Sequence, residues 1–105
     1  MAFKALFLAH APDADPDQHH SLIDTGRYRL HTVVVNSQDE AIEVSKRIYA
    51  EENIHAIMLC PGFTHKDVAE LFQVLDGKVS INVSRGDGPS SRIAQPVIQR
   101  EYFGQ

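Results

Sequence analysis

The chain has 105 residues, of which 43% are hydrophobic and 23% charged, and a formal net charge of -4 with its six histidines neutral. That balance gives nucleic acid and anionic membrane surfaces no electrostatic encouragement, while a single cysteine, Cys60, excludes an internal disulfide framework and any multi-cysteine zinc or iron–sulfur centre. No apolar run approaches the roughly 20 residues of a membrane span, so the expectation is a soluble, cytoplasmic, single domain over residues 1–105.

The N-terminal MAFKALFLA is too short and wrongly flanked for a secretory signal. Within it FKALFLA, residues 3–9, is an apolar run with little alternation, as in a strand covered on both faces. A long polar loop over 10–27 follows, then YRLHTVVV (28–35), whose β-branched end predicts a second strand. Ser37 and Glu40 have the spacing of a capping box, and Ala41, Val44, Ser45 and Ile48 share one stripe behind it, so a helix is expected over 38–52. HAIMLC (55–60) predicts a third strand. Thr64 and Asp67 repeat the capping spacing, with Val68, Leu71, Phe72 and Leu75 at i, i+3, i+4 and i+7 of a second helix that Gly77 should stop. KVSINV (78–83) alternates as a fourth strand. Pro89 should open a third helix, because its missing N–H costs nothing in the first turn, and Pro96 should kink or split it.

Strand–helix–strand alternation predicts an α/β fold: a small, four-stranded, mainly parallel sheet with three helices, flavodoxin-like or Rossmann-like. Right-handed crossovers would put the first two helices on one face. The third helix and the 10–27 loop are then left to cover the other, and that thin face is expected to be completed by another subunit in a homodimer or higher homo-oligomer.

Ligands of parallel sheets bind outside the carboxyl ends of the strands. Three polar loops should gather there: HAPDADPDQHH, CPGFTH and the turn in VSRGDGPSSR, residues 83–92. In the last, a helix starting at Pro89 would leave the Ser90 and Ser91 N–H groups free, Gly86 and Gly88 would open the backbone, and Arg85 and Arg92 could clamp oxygens. Asp87, Ser90 and Ser91 complete a candidate site for a small anion, a phosphate or carboxylate. The plainer alternative is a turn and cap at Asp87–Gly88 with both arginines solvated. The RGD triplet carries no weight as an integrin ligand in a cytosolic chain.

Cys60 and Thr64 lie at the same rim, and so does His65, which could contact a ligand or act as a base. Nucleophilic Cys60 is a minor option, since Lys66 stands where a phosphatase loop has arginine. Phe63 is either a lid or a staple. Asp13, Asp15, Asp17 and Asp24 resemble a calcium loop, but Gln18 replaces its glycine, so calcium is not expected there, and a transition metal on His10, His19 or His20 with an aspartate is a minor option. His19 and His20 fit a solvated loop or short helix, His31 and His55 read as packing residues, and His10 leaves the first strand at the ligand edge. With His65, His10 is the acid–base candidate, as histidine titrates nearest neutral pH.

Taken together, ALFLAHAPDADP, LCPGFTHKDVAEL and VSRGDGPSSR resemble a family of small prokaryotic proteins of about this length, known only as a domain of unknown function. The resemblance spans nearly the whole chain and implies that the three loops belong together. It supplies no activity, cofactor or catalytic residue. Two functional expectations follow: a small anionic ligand bound at the sheet's carboxyl edge, with histidine chemistry if the chain is an enzyme, or a non-catalytic oligomeric structural or regulatory module.

Overall fold

The computed structural model describes residues 1–104; Gln105, the last residue of the expected domain, lies outside the described residues. In chain order the elements are β1 (Phe3–His10), β2 (His20–Asp24), β3 (Tyr28–Val35), α1 (Gln38–Glu52), β4 (Ala56–Leu59), α2 (His65–Val74), β5 (Ser80–Val83) and α3 (Gly88–Phe103). The strands form one sheet of five in the order β2-β3-β1-β4-β5. β1 pairs in parallel with both β3 and β4, and β4 in parallel with β5.

The sheet therefore has a fifth strand where the sequence led us to expect four. His20–Asp24 pairs antiparallel with β3, setting Leu22 against His31 and Ile23 against Leu30. All five residues are exposed, as at an edge, and HSLID has no dry face to announce it. Its register is supplied by β3 and by a tight turn. There Gly26, at φ +98° that other residues rarely adopt, donates its N–H to the Asp24 carboxylate at 2.8 Å. His20 thus begins a strand and belongs to neither a loop nor a helix, while the His19 ring accepts the Asp15 N–H at 2.9 Å.

α1 has the expected bounds. Its Ser37 hydroxyl accepts the Glu40 N–H at 3.2 Å, but the Glu40 carboxylate accepts from Asn36, so the expected box is only half made. At α2 the box is complete: Thr64 accepts from Asp67 N–H and Asp67 from Thr64 N–H. α1 crosses from β3 over β1 to β4, and α2 links β4 to β5. Both run the same way along the sheet and so share a face, where they touch one another. Leu6, Leu8, Val33, Val35, Ile57 and Leu59 of that face bury with Val44, Ile48 and Leu71 from the helices into the core.

The opposite face differs from expectation. β2 occupies the connection between β1 and β3, so no helix crosses there. α3 does not cover the face either: all of its residues are described, and none is buried. It is also continuous through Pro96 rather than split. Proline leaves one carbonyl without its helical partner, and on so exposed a helix water can serve it. Among the described residues no helix is long and apolar enough to cross a membrane.

Candidate functional site

β1 ends at His10, and the pleat of the strand sets which way that ring turns. The even-numbered residues of β1 face the helices, so His10 turns the same way as Leu6 and Leu8. There it meets Phe63, with ring centroids 4.2 Å apart at 56°. Phe63 is fully buried, so it is no lid, and directly before the Thr64 N-cap it stands where a staple to α2 would. Burial lowers the His10 pKa from its ordinary value, against a smaller upward pull from the Asp67 charge, so the ring is neutral at pH 7. Its Nε2 is buried without a hydrogen-bond partner in the protein.

His10 lines a cavity of about 520 Å³ at the carboxyl rim of β1 and β4. Ala9, Ala11 and Pro12 form one wall, Cys60, Pro61 and Gly62 a second, and Ile98, Tyr102 and Phe103 of α3 a third. The second wall leaves room for little more than a Cβ at Gly62. A Cβ there would stand 3.5 Å from Cys60 Sγ and 3.8 Å from His10 Cβ, so any longer side chain would compete with both for the space. Arg85 is not in the lining, but it is tied to it: Nη1 donates to the Pro61 carbonyl at 3.3 Å, holding an exposed guanidinium over the same loop.

The remaining expected residues gather less tightly. Thr64 spends its hydroxyl in the α2 cap. His65 is exposed in the first turn of α2 and does not line the cavity. α3 starts at Gly88, one residue earlier than expected, with Asp87 as an N-cap that makes no side-chain cap bond. Consequently the Ser91 N–H is not free, as it already donates to the Asp87 carbonyl at 2.6 Å. The Ser91 hydroxyl donates to that same carbonyl at 2.6 Å. Gly86 makes this folded-back serine possible, since a Cβ there would lie 2.5 Å from Ser91 Oγ. Gly88, Ser90 and Arg92 are exposed and line no part of the rim cavity.

A second cavity, of about 440 Å³, lies between the β2–β3 hairpin and the end of α1. His31 projects into this region with Arg29, and both meet Glu52: His31 Nε2 is 2.9 Å from Glu52 Oε1, and Arg29 Nε donates to the same oxygen. Arg29 also donates to Asp24 at 2.7 Å. The Arg29 guanidinium first, and His31 second, hold the Glu52 pKa down to about 2. His31 is therefore an ion-cluster residue as well as a packing one. Its partner is 21 positions away, a link that only the fold makes visible. The α3 wall of the rim cavity was equally hidden, although the i, i+4 pair Ile98 and Tyr102 was a usable signal. Among the described residues no group of three or more histidine, cysteine, aspartate and glutamate side chains converges as a metal ion would require.

Comparison with the curated proteins and with the solved structures finds no match. The model of a family of unknown function (DUF6506) matches residues 3–98, and the chain belongs to that family.

Proposed function

We propose that this family member binds a small anionic metabolite at the carboxyl rim of its sheet, apolar body in the cavity and phosphate or carboxylate head toward Arg85. The observation that carries the reading is the shared loop: Cys60–Gly62 walls a 520 Å³ cavity while its Pro61 carbonyl holds the Arg85 guanidinium. Apolar walls with a few polar groups at one end suit such a ligand. A guanidinium recognises carboxylate and phosphate oxygens in pairs. If a reaction follows binding, His10 is the acid–base candidate, because a neutral imidazole with an unpartnered nitrogen can accept or relay a proton. His65 would need to act from outside the cavity, and Ser90 and Arg92 would serve only a ligand extending along the start of α3. The parallel β3-β1-β4-β5 core supports flavodoxin-like or Rossmann-like kinship; the antiparallel β2 weighs against it.

A thermal-shift panel of phosphate, sulfate, short di-acids and aryl or alkyl carboxylates tests the reading. Ligand binding to the folded chain raises the melting temperature by linkage, and Arg85→Ala should abolish the rise. No stabilisation by any of them would favour the other reading, a non-catalytic oligomeric module, which the hydroxyls spent in local bonds at Thr64 and Ser91 support.

A further inference from the structure

We infer that the helix-free face of the sheet is the surface on which a second copy of this chain docks, α3 of each copy covering the sheet of the other. In-register pairing sets Phe3 beside Tyr28, Ala5 between Leu30 and Ala56, and Phe7 between Thr32 and Met58, all turned away from α1 and α2. Phe3 and Tyr28 meet edge to face at 5.6 Å on this side. The strand residues of this face include no acid, lysine or arginine, and Ser21, Ser80 and Asn82 lie toward its outer strands. Parallel strands such as β3, β1, β4 and β5 ordinarily have both faces buried.

The same chain carries the missing cover. α3 exposes Ile93 at 78% and Val97 at 47%, one turn apart on one side of the helix. Its other end, Ile98 and Tyr102, is occupied in walling the rim cavity. An apolar sheet without a helix and an apolar helix without a sheet satisfy each other at once in a two-fold pair, whereas an unlike partner seated on the sheet leaves α3 stranded. The uncharged face also offers an acidic or basic partner nothing to recognise. Five strands about 4.8 Å apart and about six residues long at ~3.3 Å each give roughly 500 Å². The α3 ridge, ~24 Å long and ~10 Å across, covers about half of that sheet, so with its own ridge each copy buries roughly 480 Å², the small end of the range and the size of a pair that dilution separates.

Light scattering after size exclusion of the full chain, from micromolar to millimolar, tests this. The expected mass is that of two chains of 11.7 kDa, falling to one on dilution. Met58→Glu should give a monomer with unchanged far-ultraviolet dichroism. Should that variant not fold, Ile23→Glu, at a position already 57% exposed, should still raise the dissociation constant at least tenfold, as should Ile93→Glu on α3. A wild-type chain that stays monomeric at millimolar concentration overturns the inference. So do folded variants that dimerise as tightly as the wild type.

Discussion

The hairpin cavity and the rim cavity are similar in size and opposite in what their polar groups already have. Beside the hairpin, Arg29, Arg47 and His31 each meet a carboxylate, so an anionic ligand would have to displace one. At the rim the walls are apolar, His10 keeps a nitrogen unanswered, and the nearby guanidinium reaches only a backbone carbonyl. A cluster rich in titratable groups can thus be structural, while the plainer cavity holds the groups with chemistry to spare. Perturbed ionisation alone does not separate the two, since Glu52 is the more strongly shifted and His10 the better placed.

The largest effect should come from what supports the rim. Phe63→Ala empties a fully buried site beneath His10 and should cost about 3–5 kcal/mol, read as a lower urea midpoint at unchanged slope. A loss under about 1 kcal/mol would mean that His10 is not held by the core.

The cavities should also answer acid differently. The folded pKa of Glu52 lies below its ordinary 4.5, so its contribution is complete above about 4.5 and is lost as pH falls toward about 2. The melting-temperature gap between wild type and Glu52→Gln should be constant near neutrality and close across that window. His10 also has a lowered pKa, but its ordinary value is 6.5, so its neutral form contributes fully above that and progressively less as pH falls through the folded value. His10→Asn should flatten the wild-type decline just below pH 6.5 and leave the Glu52 window untouched. Equal behaviour of the two variants would erase the distinction between the cavities.

The smallest effect sharpens the α3 corner. Gly86→Ala should force Ser91 out of its bond to Asp87 and cost about 1 kcal/mol, as should Ser91→Ala. The double variant should cost little more than either alone, because both remove one contact.

What could be read in advance divides along the same physical line. α1 and the cap of α2 were legible because their signals are local: a side chain and an N–H three residues apart. The edge strand at His20–Asp24 was not, since its pairing is provided by β3 and its own residues all face water. Cys60 and His10 were both placed at the rim by strand ends alone, and they do share a cavity. His65 and Arg92 were placed there by the same reasoning, but their helical turns carry them away from it. The Arg29–Glu52–His31 cluster joins a strand to the far end of a helix, a juxtaposition no local pattern encodes.

The most direct measurement is amide chemical-shift mapping of the labelled chain titrated with an aryl carboxylate such as benzoate. The account predicts saturable shifts concentrated at Ala9–Ala11, Cys60, Gly62 and Arg85, absent in Arg85→Ala and unchanged in Glu52→Gln. Shifts confined to the hairpin cavity around Arg29 and Arg47, or none at millimolar ligand, would contradict it.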